Sequence, residues 1–133
     1  MPDNVCGEVT SPGDAQMVAE AVRDGRLRAV SLKSEQELLM FEALTMSRLL
    51  GVGECAALTL AVCRELVIAV DDRGARRRAV AMYGFERFVG TADLVVAAIR
   101  CGLIGVAEAD AMKRCWQEQF RFRLGFGSFG EVV

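Results

Sequence analysis

The sequence predicts an α/β domain built on a parallel sheet, and three observations predict it. Short strand-like segments at 27–32, 67–70 and 85–89 alternate with longer stretches of helical periodicity. The segment 67–70 is apolar at every position, as in strands covered on both faces. It then stops at two adjacent carboxylates, Asp71 and Asp72. Acids at that point lie beyond the carboxyl end of a strand, where open α/β sheets bind their ligands. Strands separated by helices join in parallel by right-handed crossovers, which puts helices on both faces in three α/β/α layers.

Each element follows from local chemistry. Ser11 before Pro12 reads as an N-cap with proline at the first helical position, and Ala15, Val18, Ala19 and Val22 form a stripe ending at Asp24-Gly25. The segment 27–32 reads as a strand. Ser34 with Glu37 makes a capping-box pattern that opens a helix through Leu38, Phe41, Leu44 and on toward Leu49. Gly51 and Gly53 break the chain before a nearly all-apolar helix over 54–66. After the strand 67–70, Ala75, Ala79 and Met82 mark the inner face of another helix, and 85–89 reads as a third strand. Thr91 caps a helix that ends near Cys101-Gly102, and a last helix covers 107–120. The segment 125–133 reads as a tail, flexible or docked, because its Gly-Phe-Gly composition is followed by no helix and no lysine.

With 133 residues the chain reads as one domain, ordered over about 1–124, with enough length to bury a core. Its 53% hydrophobic content suggests a doubly covered sheet, an oligomer interface, or both. No apolar run approaches the roughly 18 residues that span a bilayer. The first residues show no basic-then-apolar leader, so a cytoplasmic location is expected. Five cysteines (Cys6, Cys55, Cys63, Cys101 and Cys115) sit in apolar patterns without CxxC spacing. That argues for reduced, buried thiols rather than zinc or disulfides.

Histidine is absent, which removes Ser–His, Cys–His and histidine-based metal chemistry. Only Lys33 and Lys113 are lysines, and neither follows a strand as a phospho-acceptor receiver domain requires. Net charge is −2, but residues 1–65 hold 6 basic and 10 acidic side chains against 10 and 8 in 66–133. Of the 16 basic residues 14 are arginine, the type suited to bidentate phosphate contact. A codon bias toward arginine accounts for the same count.

Two readings stand for each acid. Asp71 and Asp72 repel one another unless a cation lies nearby, and a divalent metal with oxygen ligands would relieve that repulsion. Either is equally suited to cap the following helix. Glu54 opens an otherwise apolar helix, as a ligand or as a partner of the helix dipole. Arg73, Arg76 and Arg77 share one helical face by i, i+3, i+4 spacing. They could cradle a phosphate backbone or form a solvated face that pairs with Asp72.

Several ordered segments resemble the PIN domain, in particular its prokaryotic toxin-like subgroup of nucleic-acid-binding proteins. Residues 53–61 (Gly-Glu-Cys-Ala-Ala-Leu-Thr-Leu-Ala) resemble the Gly-Glu-x-x-Ala-(apolar)-x-Leu-Ala helix start. Residues 70–79 resemble the strand–Asp-Asp-x-x-(Ala)-Arg-x-x-Ala turn. Val89-Gly90-Thr91, Ile99 and Gly102-Leu103-Ile104 resemble the Gly-Thr helix and closing Gly-Leu-Ile. Upstream, Pro2, Val5, Glu8 and Val9 resemble a Pro-x-x-Val-x-x-Glu-(apolar) segment, and 120–124 more loosely a Gly-Phe-Arg-(apolar) ending.

The resemblance implies a three-layer PIN-like fold and a metal-dependent endoribonuclease holding Mg²⁺ or Mn²⁺ with three or four carboxylates, which activate water against the scissile phosphate. It assigns Glu54 as the helix acid, Asp71 or Asp72 as the acid after the strand, and Asp93 as an additional one. Thr91 would orient a metal-bound water or cap its helix. The partners implied are RNA, contacted through Arg73, Arg76 and Arg77, an antitoxin-like protein, and a second copy of the chain. The pattern departs at its start, where the family has an apolar strand ending in Asp. Nothing here corresponds to that strand and Asp3 follows none, so roughly 35–40 residues are missing from the pattern, by the usual size of a strand, a helix and their loops. The other function consistent with the resemblance is a non-catalytic module that binds RNA or an antitoxin-type protein through its arginine face and apolar surface.

Overall fold

A computed structural model describes the backbone of residues 1–133 and every side chain except that of Asn4. The chain divides into two compact units. One comprises Met1–Ile68 with Asp72–Arg87, and the other Ala69–Asp71 with Phe88–Val133.

The first unit is organised around α4 (Val52–Cys63), which buries Gly53, Cys55, Ala56, Leu58, Thr59, Leu60 and Ala61. A helix apolar on all sides must be covered on most of them. It packs on α3 (Glu35–Ser47), whose Leu44 is fully buried, and on the short α1 (Asp3–Glu8). The expected capping box opens α3: Ser34 Oγ accepts from Glu37 N–H, and Glu37 Oε2 accepts from Ser34 N–H. Pro12 at the first turn starts α2 (Pro12–Arg23), and Gly25 at φ 72° follows it where a left-handed residue is needed. Helix α5 (Arg73–Tyr83) turns Ala75 and Ala79 inward, and Gly84 closes it at φ 59°.

The α/β class holds, with much less strand than the pattern suggested. Strand β1 is Ile68–Ala69, β2 is Phe88–Val89, and the two pair directly. Ile68 N–H donates to Arg87 O within the first unit, and Val70 N–H to Val89 O within the second, both at 3.0 Å. The equal offset makes the pair parallel. The segment 27–32 contributes one isolated parallel bridge, between Val30 and Pro2. The terminal ammonium donates to Arg28 O, Val30 N–H to Met1 O, and Asp3 N–H to Val30 O. Asp3 therefore follows a single bridged residue, and no strand precedes it, as expected. Strand character needs a neighbour, and the polar Arg28 and Ser31 leave too little apolar surface to hold a longer one.

In the second unit α6 (Thr91–Arg100) and α7 (Val106–Phe120) enclose a core of Val95, Ala109 and Phe129. Phe129 belongs to a single 3₁₀ turn, Phe129–Glu131, and is fully buried. The Gly- and Phe-rich tail is thus docked. All five cysteines are free; Cys55 is buried, but Cys101 is exposed, so the thiols are not uniformly core residues as expected. No described helix is long and apolar enough to cross a membrane.

Candidate functional site

Each acid singled out in the sequence accepts from a backbone N–H at the start of a helix. Asp72 is the N-cap of α5: its Oδ1 accepts from Gly74 N–H at 2.6 Å and Ala75 N–H at 2.9 Å. Those two donors, Ala75 first, hold its carboxyl below the usual carboxylate range, with the charges of Arg78 and Arg77 adding to them. Glu54 lies in the first turn of α4 and reaches back to Gly51 N–H at 2.9 Å. Asp93 does the same in α6, accepting from Gly90 N–H at 2.7 Å. Asp71, at the end of β1, accepts from both Thr91 N–H (2.9 Å) and Thr91 Oγ1.

The α6 start brings together, within the second unit, three residues of the expected site: Asp71, Thr91 and Asp93. Thr91 does not cap α6 as expected, because Gly90 is the N-cap and Thr91 is the first helical residue; instead both Thr91 donors orient Asp71. Asp72 and Glu54 lie in the first unit at the starts of different helices. A Cβ built on Gly53 would lie 2.9 Å from a Glu8 carboxylate oxygen and 3.1 Å from Val5 Cγ2. Glu8 therefore rests against the first turn of α4, beside Glu54 in sequence. Glu8 was visible upstream only as part of a motif, and its contact with Gly53 could not be read from a separation of 45 positions.

Neither unit by itself holds a full set of metal ligands among its described residues. Among the described residues no three His, Cys, Asp or Glu side chains stand together as ligands would. A hard divalent cation takes several oxygen donors, and within the first unit Glu54 and Asp72 each turn to a backbone N–H at the start of their own helix.

Among the arginines of α5, Arg73 and Arg77 are exposed and Arg76 and Arg78 half-buried. Neither Arg73 nor Arg77 forms an ion pair among the described residues, although the charge of Arg77 acts on Asp72. Arg78 folds back on its own helix, its guanidinium 3.4 Å from the position a Gly74 Cβ would take. Its Nε is buried with no hydrogen-bond partner.

Two short parallel strands with an acid just beyond the first define the class: an α/β protein. A family model described as DUF3368, a PIN domain, matches residues 1–125, and the chain belongs to the PIN-domain family. No curated protein and no solved structure matches it.

Proposed function

We propose that this PIN-family chain binds RNA through the arginine face of α5, without assembling a metal centre from its own acids in the arrangement described. One contrast supports this reading. The four acids Glu54, Asp71, Asp72 and Asp93 are engaged at helix starts. Arg73 and Arg77, by contrast, point into solvent on one face, with the planar donor groups that phosphate contact uses. Fluorescence anisotropy with a single-stranded RNA oligonucleotide tests it. Binding should be salt-sensitive, indifferent to EDTA, and weakened in Arg73→Gln and Arg77→Gln. Affinity equal to wild type in the double variant would reject the assignment.

A second reading, Mg²⁺- or Mn²⁺-dependent ribonuclease of a toxin–antitoxin pair, is favoured by one observation. Asp71, which follows β1, and Asp93 share the start of α6, where PIN nucleases are expected to keep acids. RNA cleavage that requires Mn²⁺ and vanishes in Glu54→Ala and Asp71→Ala would establish it in place of the binding-only reading.

A further inference from the structure

The segment after α7 is held by inserted side chains more than by backbone pairing. Arg121 follows α7 in the left-handed region at φ 53°. From there to Ser128 exposure alternates: Phe122, Leu124, Phe126 and Ser128 are half-buried, while Arg121, Arg123, Gly125 and Gly127 are exposed. Phe122 N–H donates to Trp116 O, and residues 123–126 make no backbone hydrogen bond among the described residues. The Phe122 ring meets Trp116 edge-on at 6.0 Å, and Phe126 meets Phe129 at 5.0 Å.

Two polar clasps fix the far end. Asp110 accepts from Ser128 Oγ at 2.6 Å and from Phe129 N–H at 2.8 Å. Lys113, itself buried, donates to Gly127 O at 3.1 Å, with its Nζ 5.8 Å from the Phe126 ring centre. The strap and the α6–α7 groove thus form a complete peptide-in-groove recognition, joined to the rest of the unit through one residue.

We propose that this strap is exchanged between two copies of the chain, residues 122–133 of each filling the α6–α7 groove of the other, with Arg121 as the hinge. A second copy is the occupant because the groove already matches this segment in apolar shape and in its Asp110 and Lys113 contacts. Exchange keeps each of those contacts and adds relief at the hinge. Glycine is favoured where a helix ends in the left-handed region, and an arginine there is strained by its Cβ. Extension of the strap lets Arg121 return to the broad β region. A strained hinge next to a self-sufficient docking segment is the arrangement that favours exchange in a symmetric dimer.

The test is a double variant, Asp110→Cys with Ser128→Cys, oxidised over a concentration series up to the solubility limit. Ser128 Oγ stands 2.6 Å from Asp110 Oδ2, one bond beyond the γ position a cysteine sulfur would occupy, so the two thiols come within bonding reach wherever the strap is docked. A disulfide-linked dimer on a non-reducing gel, absent from either single variant, is the expected result. A double variant cross-linked only within monomers at every concentration overturns the proposal. Light scattering of the wild type and of Arg121→Gly decides independently if the double variant fails to fold. The wild type should show a dimer fraction that rises with concentration and falls severalfold in Arg121→Gly. A strictly monomeric wild type, or a dimer fraction unchanged in Arg121→Gly, also overturns it.

Discussion

Arg64 grips Glu37 with two guanidinium nitrogens, Nε to Oε1 at 2.6 Å and Nη2 to Oε2 at 3.1 Å, tying the end of α4 to the start of α3. Glu37 Oε2 also accepts from the backbone N–H groups of Lys33 and Ser34, and Arg64 reaches Ser31 O. One nearly buried carboxylate therefore organises the turn before α3. Arg64 first, then the two backbone donors, bring the Glu37 pKa from 4.5 down to about 2.

Because the folded-state pKa is depressed, Glu37 contributes stability that is fully present above its unfolded value and lost as pH falls toward the folded one. The window runs from 4.5 down to about 2. Urea midpoints of the wild type should exceed those of Glu37→Gln at neutral pH, and the gap should close through that window. A gap of constant size from neutral pH to pH about 2 would show that the carboxylate charge is not what holds this corner.

Asp71 and Thr91 make a second testable pair. Asp71→Ala removes the acceptor of both Thr91 donors, whereas Asp71→Asn keeps one side-chain oxygen to receive the backbone N–H. Amide exchange at Thr91 should speed up markedly in the alanine variant and only partly in the asparagine one. Exchange at Val95, deeper in α6, should change little, since fraying is confined to a helix's first turn.

The helices were legible in the sequence because their signals are local. Ser34 and Glu37 announce a capping box, Gly51 a break, and Gly102 a stop, each within one turn of the element it bounds, whereas Gly53, expected as part of the break, lies inside α4. Strands were overread because 27–32 and 85–89 carry strand-like residues without the neighbours that would extend their pairing. The candidate acids were legible as residues, with ligand and capping roles both open, whereas the backbone N–H groups they accept from were fixed only by the geometry. The partners of Glu37 and Asp110 were hidden for a different reason. Arg64 lies 27 residues from Glu37, and Ser128 lies 18 from Asp110, so neither pairing leaves a periodic trace.

Gly53→Ala probes the contact between α1 and α4. Alanine in a helix is favoured over glycine by about 1 kcal/mol. Here its Cβ would meet Glu8 Oε1 at 2.9 Å and Val5 Cγ2 at 3.1 Å, so the Glu8 carboxylate must swing aside and Val5 must give way slightly. Net destabilisation is expected by thermal melting. Adding Glu8→Ala removes the closer contact and should return part of the loss; a double variant no more stable than Gly53→Ala would mean that Val5, not Glu8, sets the fit.

Phe129 is the residue on which the second unit's core depends most. It is fully buried between α6 and α7, and its ring packs edge-to-face on Phe126. Phe129→Ala should cost about 3–5 kcal/mol, the usual penalty for emptying a buried aromatic site. The loss should also be visible optically. The chain has one tryptophan, Trp116, which packs against the same core cluster and against Phe122 of the strap. When the Phe129 anchor is removed, the strap loses its deepest contact, Trp116 gains water, and its emission should move to longer wavelength at temperatures below the unfolding transition. An unshifted emission together with full stability would mean that the strap docks without Phe129, and that the Asp110 and Lys113 clasps suffice to hold it.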